Sequence, residues 1–379
     1  MKNSFLFLLG LSFLGFVQSA NAERWDIKPV IEYRGSFFQL SPDGKYFLSS
    51  PTTLLDSKTQ APISIELKPA DVTNYEQLEY VFSSNSKYLA IIADTKKFPT
   101  ESPNRLDVFD LDQRKFLRTI FVETGNRRLV AGSTKFSPDE KRISYATAAT
   151  GEFFEISNFD LEQGRLSGST KGLMNYSFGD DYIWDLESNG VYICDGRSIA
   201  HSDFIGFPRL IFPTQGPCNM SFSSKGELAF VHNGNEHGTI SINGTTYDGF
   251  GSHNYRYAIN WDTQGRYLSH FLLEPFPGYF FSSNVGIVDS FQKKQFVINT
   301  GDLVKGASII PGNERVLVFQ NEKLQTGYPF KIFDFSGKEL AQFNLRSGSD
   351  PELMVINDQL YILERWVNSA FLYKVIKEL

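Results

Sequence analysis

Bulky apolar residues recur along the chain directly before a short polar turn, and an alternation of apolar and polar residues follows each turn. The clearest copies are Leu40-Ser-Pro-Asp-Gly-Lys-Tyr, Phe82-Ser-Ser-Asn-Ser-Lys-Tyr and Phe136-Ser-Pro-Asp-Glu-Lys-Arg. Weaker copies begin at Phe178, Phe222, Trp261, Ile310 and Ile356. Successive copies are 39 to 54 residues apart, and a period in this range with strand and turn content is typical of radial arrays of small β-sheets.

The first copy shows how many strands belong to one unit. Apolar and β-branched runs predict strands at Phe37–Leu40, Lys45–Ser50, Thr53–Asp56 and Ile63–Leu67. Pro and Gly in the turn at Ser41–Gly44 occupy positions that β-turns favour. Four short antiparallel strands within about 40 residues form one propeller blade, so the sequence predicts an all-β fold.

The two ends of the chain predict how the array closes. The last copy offers only three strands, at Leu353–Ile356, Leu360–Glu364 and Phe371–Ile376, whereas Ile27–Tyr33 is a strand without a unit. If this N-terminal strand pairs in the last blade, the ring has no long unpaired edge. We predict a single β-propeller of eight four-stranded blades, closed in this way. Seven blades is the alternative, because the copy at Phe178 is the weakest.

The first 22 residues have the features of a signal peptide. Lys2 precedes an apolar run at Phe5–Phe16, which is too short to span a bilayer, and Ala20-Asn-Ala22 has the small residues of a cleavage site. We expect residues 1–22 to be removed and residues 23–379 to form the propeller domain, beginning at Glu23. The protein is then periplasmic or secreted. An uncleaved anchor is the alternative.

Charge and cysteine content narrow the partners and the compartment. Loss of Lys2 with the signal peptide changes the formal charge from -6 to -7, and no Lys/Arg cluster is present. Both features argue against nucleic acid and anionic membrane surfaces as partners. No later segment is apolar for long enough to cross a membrane, so we expect no membrane insertion. The only two cysteines, Cys194 and Cys218, predict a disulfide in an exported chain. We place Cys194 on a late strand of the fourth unit and Cys218 on the first strand of the fifth. Two buried thiols are the alternative.

The repeat resembles that of the WD40-like, TolB-type β-propellers, most clearly at Leu40–Tyr46 and Phe136–Ile143. A Tyr-Asp-Gly turn at Tyr247–Gly249, ahead of the next copy, resembles a subtype of this repeat. The resemblance implies the propeller fold and little about activity, because the fold hosts many functions. The Gly-His and Trp-Asp pairs of WD40 blades are missing from their usual places. Trp184-Asp185 occurs out of register.

A cluster of histidines is the first candidate site. All five His lie within 70 residues, and His232, Glu236 and His237 share one loop, with His253 after the next strand. Imidazole and carboxylate groups bind divalent metals and perform acid–base chemistry. This set would support a metal-assisted polysaccharide lyase or hydrolase, which is our alternative function. We expect no cofactor other than this metal. The alternative is that these residues form a polar, solvent-exposed loop without a bound ion.

Aromatic residues and an arginine in the last three units form the second candidate site. They are Phe276 and Tyr279 in one loop, Tyr328 in the equivalent loop of the seventh unit, and Arg365 and Trp366 in that of the eighth. Loops between second and third strands emerge on one face of a propeller, and aromatics and arginine are enriched at binding surfaces. We therefore predict a module that binds an envelope or extracellular protein, or a carbohydrate. Burial of these rings in the sheets is the alternative.

Overall fold

The computed structural model describes residues 23–35, 38–64, 75–95, 104–122, 128–130, 132–148, 153–175, 181–194, 198–205, 208–214, 219–233, 238–249, 256–274, 283–320, 328–345 and 351–378. These residues form strands and turns only, in eight antiparallel sheets. In this part of the chain no helix exists that could cross a membrane.

The strands of the first four blades follow one another in chain order. Blade 1 has β2 (Gln39–Leu40), β3 (Tyr46–Ser50) and β4 (Thr53–Asp56), and blade 2 has β5 (Tyr75–Phe82), β6 (Tyr88–Thr95), β7 (Asn104–Asp110) and β8 (Lys115–Val122). Blade 3 has β9 (Arg128–Leu129), β10 (Lys135–Phe136), β11 (Arg142–Ala148), β12 (Phe153–Asp160) and β13 (Arg165–Asn175). Blade 4 has β14 (Asp181–Trp184), β15 (Val191–Cys194), β16 (Ser198–Ser202) and β17 (Arg209–Pro213).

The remaining blades repeat the same order. Blade 5 has β18 (Met220–Phe222), β19 (Leu228–Asn233), β20 (Gly238–Ile242) and β21 (Thr245–Asp248), and blade 6 has β22 (Arg256–Trp261), β23 (Tyr267–Glu274), β24 (Asn284–Asp289) and β25 (Lys294–Asn299). Blade 7 has β26 (Val304–Ile309), β27 (Arg315–Gln320), β28 (Tyr328–Asp334) and β29 (Glu339–Leu345). Blade 8 has β30 (Glu352–Ile356), β31 (Gln359–Arg365), β32 (Ser369–Glu378) and β1 (Arg24–Arg34).

The N-terminal strand completes the last blade, as predicted. Strand β1 pairs antiparallel with β32, from Arg24 opposite Glu378 to Arg34 opposite Ser369. The register shifts between Pro29 and Ile31, as expected where proline cannot donate to a ladder. In blade 1, an isolated antiparallel β-bridge between Pro62 and Leu55 of β4 lies where the other blades have their fourth strand.

Apolar clusters between neighbouring blades hold the ring together, and the described residues form eight of them, one for each boundary. The cluster between blades 8 and 1 decides closure. It contains Leu363 from β31, and the ring of Tyr33 from β1 stacks on Phe47 from β3 with centroids 3.8 Å apart. The eight-bladed propeller is therefore confirmed, and the seven-bladed alternative is wrong.

Hydrogen bonds within the turn explain why the repeated sequence recurs. The Ser41 hydroxyl accepts the Tyr46 N–H at 2.9 Å and donates to the Asp43 carboxylate at 2.8 Å. Gly44 has a φ of 72° and donates its N–H to the Ser41 carbonyl at 2.9 Å, so the turn needs a residue that tolerates the left-handed region. The third copy repeats the serine contact. These turns lie on one face of the ring, opposite the connections between second and third strands.

The fourth copy of the repeat begins at Trp184, and its predicted start at Phe178 is wrong. The Asp185 N–H donates to the Gly190 carbonyl at 3.0 Å, the bond that Ser41 makes to Tyr46 in the first copy. The Asp185 carboxylate accepts the Asn189 N–H at 2.8 Å and so replaces the serine hydroxyl. Phe178 itself lies outside the described residues. Trp184-Asp185 is thus the repeat itself rather than a pair out of register.

Candidate functional site

A cavity of about 560 Å³ lies against the innermost strands of blades 6, 7 and 8. Its polar lining comes from Asn260 on β22, Lys305 and Ser308 on β26, Glu352 on β30 and Arg365 at the end of β31. Because β26 and β30 begin at the loop-bearing face, the cavity runs from the charged residues at that face towards Asn260 and Ser308. Its volume is in the range of ligand sites.

Small residues on the inner strands make room for this cavity. Strand β26 reads Val-Lys-Gly-Ala-Ser-Ile, and a Cβ atom on Gly306 would lie 1.9 Å from the ring of Phe319. The ring therefore packs directly on the glycine backbone and becomes part of the wall. Elsewhere longer side chains link inner strands of successive blades. Gln39 donates to the Tyr80 carbonyl at 3.0 Å, and the Lys135 ammonium donates to the Tyr182 carbonyl.

An ion pair marks the end of the cavity at the loop-bearing face. Arg365 donates to the carboxylate of Glu352, and its Nε donates to the Phe38 carbonyl at 3.2 Å. The second bond fixes the plane of the guanidinium against blade 1. Among the described residues, the lining includes a second cationic side chain, that of Lys305, and one carboxylate, that of Glu352. The cavity is thus rich in hydrogen-bond donors.

A hairpin tip stands beside this ion pair. Trp366 and Val367, between β31 and β32, are 39% and 85% exposed, and the Trp366 N–H closes the turn on the Ser369 carbonyl at 2.7 Å. The buried Glu364 lies next to this tip in the chain and accepts a hydrogen bond from the Tyr373 hydroxyl at 2.9 Å. Burial raises the pKa of Glu364, and the side chains of Tyr373 and Trp366 oppose the rise. A buried carboxyl group therefore lies close to the tip.

Of the five predicted binding residues, Arg365 and Trp366, which are neighbours in the chain, lie at the loop-bearing face. Tyr328 does not lie in a loop as predicted. It is the first residue of β28, pairs with Leu345, and is 6% exposed in the core between blades 7 and 8. Its placement is therefore corrected: the ring is buried by packing against its apolar neighbours. Phe276 and Tyr279 lie outside the described residues, and their role stays a prediction.

The predicted metal ligands cannot be assembled from the described residues. Glu236, His237 and His253 lie outside them, and of His232 only the backbone, in β19, is described. No group of three potential metal ligands occurs in the described part of the chain. The two described imidazoles are in different blades: His201 pairs with Asp185 at 2.9 Å, and His270 is fully buried in β23. The metal site stays a prediction.

Cys194 is fully buried at the end of β15, the second strand of blade 4, so its predicted position on a late strand is wrong. The described residues contain no free cysteine. Cys218 lies outside them, and the bridge between the two stays a prediction.

Comparison with known proteins bears on the fold of this chain and not on its function. No protein-family model matches the chain, and no curated protein matches it in sequence. Among solved structures 710 chains match. One, from a study of two prolyl endopeptidases, has a TM-score of 0.50 at 13% identity over 81% of this chain, which spans only 50% of that one. Another, from a mitotic checkpoint complex, has a TM-score of 0.48 at 12% identity, covering 81% of this chain and 96% of that one. The predicted β-propeller fold is confirmed by the strand order of the eight sheets, and the likeness to the chain from the prolyl endopeptidase study agrees with that fold.

Proposed function

We propose that this protein is an exported, non-catalytic binding module that recognises an envelope or extracellular protein through its loop-bearing face. The hairpin tip at Trp366 and Val367 carries the proposal. Exposed tryptophan and arginine side chains dominate the energy of many protein interfaces, and Arg365 adjoins this tip. The propeller fold is typical of protein-binding modules.

A protein partner fits the tip better than a carbohydrate. Tryptophan alone would serve either, because sugars stack on aromatic rings. Val367, however, is 85% exposed, and an exposed aliphatic side chain gains free energy only when an apolar surface covers it. The experiments must therefore distinguish a carbohydrate partner from a protein partner.

Export is part of the proposal. Cleavage before Glu23 would release the chain into an oxidising compartment, where Cys194 and Cys218 would form their bridge. N-terminal sequencing of the protein from cell fractions tests this directly. A cytoplasmic protein that begins at Met1 would contradict it.

Cross-linking to envelope extract, read by quantitative mass spectrometry, tests the binding face. The Trp366→Ala/Val367→Ser variant removes the tip. The Phe121→Ala/Ile205→Ser variant is the control, because it removes exposed apolar side chains from other blades. Phe121 of blade 2 is 61% exposed, and Ile205 of blade 4 is 83% exposed. We expect at least one partner protein to be recovered about tenfold less with the tip variant and unchanged with the control. Equal recovery with both variants contradicts the proposal.

Metal analysis and a glycan array separate the remaining alternatives. A stoichiometric divalent metal in the purified protein, lost with His237→Ala, would favour the lyase or hydrolase over a binding module. Glycan binding that needs Trp366 would replace the protein partner with a carbohydrate.

A further inference from the structure

We propose that His270, Gln295 and the backbone of Asp248 form an acid-sensitive latch between blades 5 and 6, which opens when the imidazole takes up a proton. This inference goes beyond the proposed binding function and does not depend on it.

Gln295 on β25, the outer strand of blade 6, holds the end of the outer strand of blade 5. Its Oε1 accepts the Asp248 N–H at 3.2 Å, and its Nε2 donates to the Asp248 carbonyl at 2.7 Å. Asp248 is the last residue of β21, where the connection from blade 5 to blade 6 begins. One side-chain amide therefore joins the two outer strands through both backbone groups of one residue.

The same amide determines the protonation state of His270. The two bonds to Asp248 fix which end of the Gln295 amide carries the nitrogen, and this nitrogen lies 3.2 Å from Nε2 of His270. An amide nitrogen donates hydrogen bonds and does not accept them. Nε2 of His270 is therefore the acceptor, and the neutral imidazole carries its proton on Nδ1.

Gly286 allows the imidazole to reach this amide. His270 on β23 lies opposite Gly286 on β24, and a Cβ atom on Gly286 would come within 2.0 Å of Nε2 of the imidazole. The ring therefore crosses the glycine backbone on its way to Gln295 on β25. Because His270 is fully buried, the contact between imidazole and amide is shielded from water.

Protonation would turn this contact into a clash between two donors. A proton on Nε2 of His270 would point at the Gln295 NH₂ group, which is also a donor. A half turn of the amide would offer His270 an oxygen instead. The amide would then present its NH₂ group to the Asp248 N–H and its oxygen to the Asp248 carbonyl, so both bonds between the blades would be lost.

The surroundings of His270 set the direction of the response. Burial lowers the pKa of the imidazole from 6.5 to about 4, and the carboxylate of Asp248 on β21 opposes this shift. The strands on either side of β23 place uncharged residues, Ile259 and Gly286, opposite His270. In the open latch the imidazole reaches water and regains its ordinary pKa, so acid favours the open state. Between pH 7 and pH 5 the open fraction should rise about twentyfold.

Hydrogen exchange at the Asp248 amide, read by mass spectrometry at single-residue resolution, tests the latch on the full-length protein. We expect the protection factor of this amide in wild type to fall about twentyfold from pH 7 to pH 5. The Thr300 amide is the internal reference, because it donates to the Ser283 carbonyl at 2.8 Å in the same blade. Its protection should stay constant and show that blade 6 remains folded.

Three variants separate the latch from other effects of acid. His270→Gln removes the titrating group, so protection at Asp248 should no longer depend on pH. Gln295→Met removes the amide, so Asp248 should exchange faster already at pH 7 and change no further at pH 5. His201→Gln, which removes an imidazole from blade 4, should retain the response of wild type.

Equal protection of Asp248 at pH 7 and pH 5 in wild type overturns the inference, as does a loss that persists in His270→Gln. A parallel loss at Thr300 also overturns it, because the whole blade would then open instead of the latch. Gln295→Met decides the matter if His270→Gln does not fold, since Gln295 is only half-buried. A pH response of Gln295→Met that equals that of wild type would exclude the latch.

Discussion

Glu23 and Arg315 form a two-pronged ion pair although they are 292 positions apart, with 3.1 Å from Nε to Oε2 and 3.1 Å from Nη2 to Oε1. Lys377 donates to the same carboxylate at 2.9 Å. Arg315 belongs to β27 of blade 7, whereas Glu23 directly precedes β1 of blade 8. The N-terminal strand is thus held to a second blade by charge, in addition to its ladder with β32.

Replacement of this carboxylate should loosen the closure of the ring. Glu23→Gln removes both ion pairs, and we expect the free energy of unfolding to fall by about 1 kcal/mol at neutral pH. Urea denaturation measures the change. Glu32→Gln on the same strand is the control, because Glu32 is exposed. A control variant that is as destabilised as Glu23→Gln would rule out a specific role for the ion pair.

Acid should erase the difference between wild type and Glu23→Gln. Hydrogen bonds from Arg315 and Lys377 lower the pKa of Glu23 from 4.5 to about 2. The unfolded chain therefore binds this proton at a higher pH than the folded chain. The stabilisation is complete above pH 4.5 and disappears as the pH falls to about 2. A difference that persists at the acid end would mean that another group is responsible.

The turn serine of the repeat should contribute measurably at each copy. Ser137 is buried, accepts the Arg142 N–H at 3.0 Å and donates to the Asp139 carboxylate at 2.6 Å. Ser137→Ala leaves that N–H without its acceptor, which costs about 1–3 kcal/mol. Thermal unfolding measures the loss. Ser84→Ala, at an exposed turn position of the second copy, should change little, and equal effects at both serines would contradict this account.

The fold could be predicted because its determinants are local. Each turn encodes its own hydrogen bonds, so three clear copies defined the period. The fourth copy was misplaced because Asp185 replaces the serine and Ser188 replaces the turn glycine, and neither change is visible until the hydrogen bonds are known. Closure by β1 could be predicted by counting strands, since the last unit has only three strands and needs a fourth strand from the N-terminus to complete its blade.

The candidate site was only partly predictable. Arg365 and Trp366 could be found, because a charged and a large aromatic residue end a strand at the loop-bearing face. Tyr328 offered the same signal, yet its ring is buried between two blades. The cavity could not be found, because its walls come from strands of three blades, which are far apart in sequence. The one sequence signal was Gly306-Ala307-Ser308, since glycine within a strand often marks a close approach of another group.

A disulfide between Cys194 and Cys218 would make the protein sensitive to reductant. The bridge would close a loop of about 25 residues and contribute roughly 3 kcal/mol. We expect Cys218→Ser to lower the free energy of unfolding by about this amount, and dithiothreitol to have the same effect on wild type but none on the variant. The mass of the intact protein before and after reduction and alkylation identifies the bridge. Two thiols that alkylate without reduction would exclude it.

Gly286 should resist any side chain. A Cβ atom there would lie 2.0 Å from Nε2 of His270 on the neighbouring strand. Overpacking of this kind costs about 1–3 kcal/mol, and we expect Gly286→Ala to be destabilised by that amount in urea denaturation. In a His270→Ala background the same change should cost less, because the ring that it meets is gone. Additive effects of the two substitutions would show that the alanine is accommodated elsewhere.

His270 should make the protein lose stability on mild acidification. Burial lowers the pKa of this imidazole from 6.5 to about 4, and Asp248 opposes the shift. Between these two pH values the unfolded chain binds a proton that the folded chain refuses. The free energy of unfolding should therefore fall as the pH decreases through this window, by on the order of 3 kcal/mol in total.

Urea denaturation between pH 7 and pH 4.5 tests this with two histidine variants. His270→Gln removes the buried imidazole, so its stability should depend less on pH than that of wild type. His201→Gln is the control, because it removes an imidazole whose side chain is 29% exposed rather than buried. The Glu23 carboxylate does not interfere, because its own window lies below pH 4.5. Parallel curves for wild type and His270→Gln would mean that the folded protein opens to admit the proton.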